Sequence, residues 1–379
     1  MNFCTLSIEL RKIGGGTLCL HLMYSAHESM KTKSQQMIIR VFALSFVMIC
    51  FGCTSEQLTK RNAFEELSTL VDQYATDVTQ KGNINALAIA IYRDGLTYQQ
   101  YYGEIDSGAG NTPNDSTLFE IASISKVFVG SLVAKAVTEN KISLEDDVRE
   151  YLEGTYNQLQ FDDKPVTIKE LVTHTLGFRT PDRLADVYDK IFAGYYKDTA
   201  IDYDMTDLLA ELKSVQLDTV PGVRYEYSNV GPEIAAYILE QVYGQPYETI
   251  LQNFLRELDI DNIHVQLFTE QEKYLANGYD EDGEVATVVK NPLLGGAGGL
   301  VASLPDLSKF MQLQLESEEA FIEESTRYLL KDGEDDTGYY WDLGVAAREG
   351  FYYAKTGSAK GTESVILICP DSNYGMVMI

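Results

Sequence analysis

The feature of this sequence that most constrains its fold is a helical segment with apolar residues on nearly every side. The segment, VFVGSLVAKAV, occupies residues 127–137. A helix that is apolar all round must be surrounded by other elements, so it predicts the centre of a domain with a large core. The chain has 379 residues, 45% of them apolar and 23% charged, and can supply such a core within one large domain.

The residues just before this helix include a serine and a lysine three positions apart. They are Ser123 and Lys126, in the stretch FEIASISK. Residues three apart lie on the same side of a helix, so the hydroxyl and the amine can meet. Apolar surroundings disfavour the ammonium form and lower the pKa of the lysine, which allows the amine to accept the serine proton. The plainer alternative is a helix-capping serine and a lysine whose aliphatic stem covers apolar surface.

Two further motifs carry side chains that suit a binding or catalytic site. Tyr227 and Asn229 lie two apart in VPGVRYEYSNVGPE, and in an extended segment such side chains face the same cleft. Lys355, Thr356 and Gly357 end a strand-like run in AKTGSAKG. A cation and a hydroxyl there can hold a carboxylate, and glycine lets a substrate approach the backbone closely. The plainer alternatives are a packed tyrosine with a capping asparagine, and an ordinary turn.

Strand patterns occur at both ends of the chain, with helical patterns between them. ALAIAIYRDG and LTYQQYYG predict two strands joined by a tight Asp94-Gly95 turn, and GFYYAKTG, SVILICPDS and YGMVMI predict strands near the C-terminus. The residues from about 143 to 331 are mainly helical or loop-like in pattern. We therefore predict an α/β (α+β) domain over residues 54–379. Its antiparallel sheet is built from both chain ends, is flanked by helices and carries an all-helical insertion.

The first 53 residues are predicted to lie outside this domain. Residues 1–29 show no pattern and are interpreted as a non-native upstream segment, whereas residues 30–53 combine a basic run with an apolar stretch too short to span a bilayer. This combination is typical of a signal peptide. Gly52 followed by CTSEQ is similar to a bacterial lipoprotein cleavage site. We expect Cys53 to be lipidated and to anchor the protein in the bacterial cell envelope, facing the periplasm or the outside. Simple secretion is the alternative.

Charge and cysteine content disfavour several partners and cofactors. Asp and Glu outnumber Lys and Arg 57 to 30, which argues against binding to nucleic acid. Of the five cysteines, Cys369 alone follows Cys53, and two of the four histidines precede Met30. We therefore predict no disulfide framework, no metal site and no cofactor.

The order of the motifs along the chain gives them a common interpretation. Ser-x-x-Lys, Tyr-x-Asn and Lys-Thr-Gly each occur at one place, accompanied by LVTHTLGF and GGAGGLVASLPDLSKF. From about Ala63 to Ile379 the chain resembles the serine penicillin-recognising enzymes, which include penicillin-binding DD-peptidases, class C type β-lactamases and their esterase relatives. The resemblance implies a substrate that is a small molecule or peptidoglycan-derived, such as a β-lactam or a D-Ala-D-Ala peptide.

The resemblance also assigns a role to each motif residue. It implies that Ser123 is the acylated nucleophile, Lys126 its base and Tyr227 a proton relay to the leaving group. The substrate-binding positions would be Asn229 for an amide side chain, Lys355 and Thr356 for a carboxylate, Gly357 for close approach, and the backbone N–H groups of Ser123 and Ser358 for the oxyanion.

The sequence leaves two alternatives to this hydrolase interpretation open. The chain could be an esterase or D-amino-acid amidase of the same fold, or a non-hydrolysing protein that binds penicillin or peptidoglycan fragments.

Lys360 and Glu363, which follow Ser358 in SAKGTES, could alter substrate choice. His174 is interpreted as structural because no G-x-S-x-G motif accompanies it. The chain stops before the family's terminal helix, so we expect a truncated C-terminus with YGMVMI as an open, apolar sheet edge.

Overall fold

The computed structural model describes most of the chain beyond Thr59. The described ranges are 60–81, 84–192, 201–265, 272–280, 282–286, 293, 295–331 and 333–379. The structure divides into two compact units, which meet in sequence between Tyr74 and Ala75. The second unit contains every predicted site residue except Cys53. The predictions for the upstream segment, the signal peptide and Cys53 lie outside the described residues.

The described residues form nine helices and fourteen strands. The helices are α1 (Lys60–Gln80), α2 (Ser125–Thr138), α3 (Ile168–Val172), α4 (Asp182–Phe192), α5 (Met205–Leu212), α6 (Val230–Tyr243), α7 (Tyr247–Glu257), α8 (Leu304–Glu316) and α9 (Ala320–Ser325). The strands are β1 (Ala86–Arg93), β2 (Leu96–Gly103), β3 (Leu118–Glu120), β4 (Gln160–Phe161), β5 (Lys164–Pro165), β6 (Ile263–Val265), β7 (Gly278–Tyr279), β8 (Val285–Ala286), β9 (Leu300–Ser303), β10 (Thr337–Gly338), β11 (Trp341–Ala346), β12 (Gly350–Ala359), β13 (Thr362–Cys369) and β14 (Tyr374–Met378).

The main sheet joins strands from both ends of the chain, which confirms the predicted fold class. Its order is β10-β11-β12-β13-β14-β1-β2, and neighbouring strands are antiparallel. The turn between β1 and β2 uses Asp94 (φ 52°) and Gly95 (φ 85°). Two consecutive residues with positive φ match the right-handed twist of the strands, so this turn closes a tight hairpin as predicted.

The predicted open edge at YGMVMI is wrong. β14 pairs with β1 on one side and with β13 on the other, and every residue of β14 is buried. The pairing extends to Ile379, whose backbone exchanges hydrogen bonds of 2.9 and 3.0 Å with Ala88. A run that is apolar at every position is typical of a strand covered on both faces, and here α8 packs on β14 and β1.

The segment between the two halves of the sheet is mainly helical but also contains short strands. β6 and β9 form a three-stranded sheet with β3, in the order β3-β9-β6. The prediction of an all-helical insertion is therefore incomplete, because segments of three or four residues are too short to distinguish strand from helix by period. No helix within the described part of the chain is long and apolar enough to cross a membrane.

Helix α2 lies at the centre of the domain, as its all-round apolar pattern predicts. Its residues from Ser125 to Ala134 are all buried. Phe128 packs on Phe310 of α8 with ring centroids 4.4 Å apart, and the helix also contacts α6, α7 and α9. The close approach of Gly130 to the chain at Tyr339, where a Cβ would lie 2.2 Å from the carbonyl oxygen, shows how tightly the helix is enclosed.

Candidate active site

Ser123 lies in a short 3₁₀ turn, Ala122–Ile124, directly ahead of α2. Ala122 has a positive φ of 44°, so the chain bends sharply just before the serine. Ser125 secures this turn, since its Oγ donates to the carbonyl of Ala122 (2.6 Å) and accepts from the N–H of Leu300 in β9 (3.0 Å). The turn leaves Ser123 partly exposed to solvent.

Lys126 is fully buried and points its amine at Ser123. Its Nζ donates to Ser123 Oγ at 3.0 Å and to the carbonyl oxygen of Ala297 at 2.5 Å. Burial lowers the pKa of Lys126 well below its ordinary value, and the nearby ammonium of Lys355 lowers it further. The carboxylates of Glu233 and Asp342 act in the opposite direction but do not cancel this shift. The result is an amine that gives up its proton more readily than an exposed lysine does.

Tyr227 contacts the same serine oxygen from a segment 104 residues further along the chain. Its hydroxyl donates to Ser123 Oγ at 2.7 Å. Its ring centroid lies 4.9 Å from Nζ of Lys126 and 5.5 Å from Nζ of Lys355. Although 44% of the residue is exposed, the protein packed around it raises the pKa of Tyr227 to about 12, so the phenol is protonated near neutral pH.

Lys355 reaches the site from β12 and is paired with a carboxylate that sequence reasoning missed. Its side chain is 3% exposed, and its Nζ lies 3.0 Å from Oδ1 of Asp342 on β11, whose side chain is half exposed. Asp342 pairs with Ala354 across the two strands, which places it beside Lys355. The acidic residue is visible in TGYYWDLGV, but its proximity to Lys355 depends on the strand register.

Gly357 allows β12 to lie directly against the serine turn. A Cβ at this position would lie 2.2 Å from the carbonyl oxygen of Ile121 and 3.1 Å from the backbone nitrogen of Ser123. The flanking Thr356 and Ser358 are exposed. Glycine is therefore required for the approach that brings this strand and the Ser123 turn together.

The two residues singled out as unusual, Lys360 and Glu363, lie just beyond the end of β12. Ser358 Oγ donates to Oε1 of Glu363 on β13 at 2.7 Å, and burial raises the pKa of this carboxyl. Lys360 lies at the turn between the two strands, where Gly361 has a φ of 80° and leaves no room for a side chain against Tyr279. Both residues thus lie close to Ser358, at the end of the hairpin that β12 and β13 form.

Asn229 is the motif residue whose backbone is not extended as predicted. It has helical backbone angles (φ −83°, ψ −11°), because α6 begins at the next residue. The extended geometry assumed for Tyr227 and Asn229 therefore ends before Asn229. Its side chain makes no capping hydrogen bond, so the capping alternative does not describe it either.

The glycine-rich loop before β9 contributes a contact that no motif indicated. The carbonyl of Ala297 accepts from Lys126, and the backbone N–H of Ala297 donates to Oε1 of the buried Glu233 at 2.9 Å. Glu233 thereby fixes the loop that holds the lysine amine. GGAGG is a turn as predicted, but β9 separates it from α8.

These contacts bring Lys126 and Tyr227 to the side-chain oxygen of Ser123. They also bring Lys126 and Lys355 to the aromatic ring of Tyr227. A hydroxyl held between a buried amine and a phenol is suited to acyl transfer. Among the described residues, no group of three or more His, Cys, Asp or Glu side chains could hold a metal ion.

Comparison with known proteins identifies the family of the chain. The sequence model of the Beta-lactamase family matches residues 71–379, so the chain belongs to that family. Protein flp of Staphylococcus aureus (strain N315) is 24% identical over 318 residues, which cover 82% of this chain and 62% of that protein. The chain thus spans less than two thirds of the length of this relative.

Two other similar proteins are matched over most of their length. A beta-lactamase of Yersinia enterocolitica is 25% identical over 359 residues, which cover 83% of this chain and 86% of that enzyme. The crystal structure of a beta-lactamase/D-alanine carboxypeptidase from Pseudomonas syringae superposes with a TM-score of 0.69 at 21% identity, covering 82% of this chain and 92% of that one. The structural likeness establishes a shared fold.

Proposed function

We propose that this protein is a serine hydrolase that forms an acyl-enzyme on Ser123. The observation that carries the proposal is the convergence of Lys126 Nζ (3.0 Å) and Tyr227 OH (2.7 Å) on Ser123 Oγ. One partner is a buried amine that can accept a proton, and the other is a phenol that can donate one. Isolated structural roles for the three residues do not require them to share one oxygen atom.

The reaction follows from these two partners. Ser123 Oγ bonds to the substrate carbonyl carbon while its proton passes to Lys126, and the backbone N–H groups of Ser123 and Ser358 stabilise the negative charge on the carbonyl oxygen. The bond to the leaving group then breaks as Tyr227 gives that group a proton and recovers one from Lys126. Water attacks the resulting ester in the same way and releases the acid and free Ser123.

Carboxylate-bearing amides are the first candidate substrates. Lys355 and the exposed Thr356 offer a cation and a hydroxyl beside the serine, which suits the carboxylate of a β-lactam or a D-Ala-D-Ala peptide. Asn229, at the start of α6, would bond the amide side chain of such a substrate. The similarity to a beta-lactamase and to a beta-lactamase/D-alanine carboxypeptidase supports this class.

A neutral ester is the second candidate, and one contact favours it. The ammonium of Lys355 is already paired with Asp342 at 3.0 Å, so a substrate carboxylate must compete with that carboxylate. A neutral ester or D-amino-acid amide meets no such competition. The preference between the two substrate classes therefore depends on how readily the ion pair between Lys355 and Asp342 breaks.

The experiment treats the protein with a fluorescent penicillin and, separately, with a chromogenic ester, each alongside Ser123→Ala. Persistent label that is lost in the variant indicates a penicillin-binding protein, and rapid Ser123-dependent turnover of penicillin indicates a β-lactamase. Turnover of the ester alone indicates the esterase. If neither reagent reacts with Ser123, the hydrolase proposal is wrong and a non-hydrolysing binding role is favoured.

We also propose that Cys53 carries a lipid anchor that holds the protein in the bacterial cell envelope. The support is the Gly52-Cys53 junction after a basic and apolar leader. Cells expressing the protein are grown with radiolabelled palmitate, and label should appear in the wild type and in Cys50→Ser but be lost in Cys53→Ser. Label that survives in Cys53→Ser would overturn the anchor.

A further inference from the structure

A buried histidine lies directly behind Tyr227. The ring centroid of His174 is 4.6 Å from that of Tyr227 and 5.1 Å from that of Tyr340, and the residue is almost completely buried. His174 does not contact Ser123, so the proposed reaction gives it no role. Its position in the loop after α3 nevertheless joins it to the strand-like segment that carries Tyr227.

His174 binds the backbone on both sides of Tyr227. Its carbonyl oxygen accepts from the N–H of Glu226 at 2.8 Å, and its Nδ1 accepts from the N–H of Ser228 at 3.2 Å. The backbone N–H groups of the two residues next to Tyr227 in sequence are thus held by one residue. The helix that follows is tied to the same point, since Ser228 Oγ accepts from the N–H of Val230 at 3.0 Å.

Two further observations distinguish His174 from a histidine that merely fills the core. Its φ is +57°, a left-handed conformation that costs a non-glycine residue on the order of 1 kcal/mol and that concentrates at functional sites. Its Nε2 is buried and, among the described residues, makes no hydrogen bond. Buried polar atoms are nearly always bonded, so this side chain is not optimised for stability.

The hydrogen bonds also define which nitrogen carries the proton. Because Nδ1 accepts from Ser228, the neutral ring must carry its proton on Nε2. Burial lowers the pKa of His174 well below its ordinary value, and the ammonium groups of Lys355 and Lys126 lower it further. The imidazole therefore remains neutral and keeps Nδ1 available as an acceptor.

We propose that His174 is a positioning residue for Tyr227. Its Nδ1 and carbonyl oxygen fix the backbone around Tyr227, so that the phenol stays within hydrogen-bonding distance of Ser123 Oγ. This inference rests on the proposed function for the role of Tyr227 itself. It assigns His174 no contact with substrate and no proton transfer.

Two variants of His174 separate the effect of its hydrogen-bond acceptor from the effect of its backbone conformation. Asparagine and glycine both tolerate a positive φ, but only asparagine offers an acceptor, its Oδ1, near the position of Nδ1. We expect His174→Gly to lower kcat by about 10²-fold with little change in KM, because a misplacement of about 1 Å is that costly. His174→Asn should recover at least tenfold of this loss. Equal kcat in the two variants, or a folded glycine variant as active as the wild type, would overturn the proposal.

A double-mutant cycle tests whether the effect passes through Tyr227. In a Tyr227→Phe background the hydroxyl is already absent, so adding His174→Gly should lower kcat by less than about threefold. A purely structural role predicts the same factor in both backgrounds. If the loss of kcat in the double variant equals the product of the two single losses, the positioning role is contradicted.

A readout independent of activity keeps the inference testable if the variants misfold or the proposed function fails. The ¹⁵N chemical shifts of the wild-type imidazole, assigned by comparison with His174→Asn or by selective labelling, should report a neutral ring protonated on Nε2 near neutral pH. A ring protonated on Nδ1, or a cationic ring, cannot accept from Ser228 and would overturn the proposal. If the wild type shows the predicted tautomer but no Ser123-dependent turnover, the proposed function alone is contradicted.

Discussion

At the scale of the residue, burial decides what Lys126 can do. The same side chain on the surface would remain an ammonium group, as does Lys135 on the same helix, whose Nζ lies 2.8 Å from Glu139. Inside the core, Lys126 loses solvation and faces the ammonium of Lys355, and both effects lower its pKa. One helix therefore carries a lysine suited to proton transfer and a lysine suited to a salt bridge.

We predict that acylation of Ser123 slows as pH falls through the lowered pKa of Lys126. Below that pKa the amine is protonated and cannot accept the serine proton, whereas above it the rate reaches a plateau. Arginine stays protonated throughout, so Lys126→Arg should lose at least about 10²-fold in acylation rate. Stopped-flow acylation from about pH 5 to about pH 9 measures both effects. Lys135→Arg is the control, and similar rates in the two variants would rule out Lys126 as the base.

Asp342 offers a second test at the residue scale. Asp342→Asn removes the carboxylate that occupies Lys355, so the KM for a carboxylate-bearing penicillin should fall by about tenfold, equivalent to roughly 1.4 kcal/mol. The KM for a neutral ester should change by less than about twofold. Steady-state kinetics with both substrates provide the measurement, and Asp163→Asn, which removes an exposed carboxylate between β4 and β5, is the charge-matched control. Equal changes for both substrates would show that Asp342 does not compete for the substrate carboxylate.

At the scale of the element, α2 and β12 are held against their neighbours by glycines that admit no side chain. Gly130 brings α2 onto the backbone at Tyr339, and Gly357 brings β12 onto the Ser123 turn. Each contact is between backbones, so neither side can move aside cheaply. The position of Ser123 relative to Lys355 on β12 therefore depends on packing between elements.

Gly130→Ala tests this packing because two effects have opposite signs. Alanine in a helix interior normally stabilises by about 1 kcal/mol relative to glycine. Here the new Cβ would lie 2.2 Å from the carbonyl oxygen of Tyr339, and such overpacking costs about 1–3 kcal/mol. We expect a net decrease in the free energy of unfolding, measured by urea denaturation. Thr138→Ala, at the exposed end of the same helix, should not destabilise, and a stabilised Gly130→Ala would contradict the packing argument.

At the scale of the whole molecule, the hairpin of β1 and β2 and the last strands of the chain are joined in one sheet. β14 lies between β13 and β1, and α8 covers this part of the sheet. The N-terminal hairpin of β1 and β2 is connected to the rest of the main sheet through β14. The last residues of the chain therefore hold together segments that are far apart in sequence.

Deletion of residues 374–379 should abolish the folded state. The deletion leaves the backbone groups of β1 and β13 without partners and removes a fully buried strand, a loss larger than the typical net stability of about 5–15 kcal/mol. Circular dichroism and solubility of the purified protein measure the outcome. Val345→Ala, at a position of the same sheet that is 76% exposed, is the control. A soluble, cooperatively unfolding deletion variant would show that β14 is dispensable.

Much of this fold could be predicted from local patterns, whereas the failures concern long-range pairing. The hairpin at Asp94-Gly95 and the buried helix α2 follow from period and turn chemistry. The same run of apolar residues, YGMVMI, fits an uncovered edge or a central strand equally well, and only its partners distinguish the two. The short strands β6 and β9 were missed for the same reason, since β9 pairs with β3, more than a hundred residues earlier, and β6 joins that sheet only through β9.

The sequence by itself determined which chemical groups are available and where each lies on its element: a serine and a lysine one turn apart at the start of a buried helix, and a lysine and a glycine on one strand. These relations are local, because the helical and strand periods set them. Only the tertiary structure decided that Asp342 pairs with Lys355, that Ala297 holds the amine of Lys126, and that His174 lies behind Tyr227. Those contacts depend on strand register and on packing summed over the domain, which no short segment specifies.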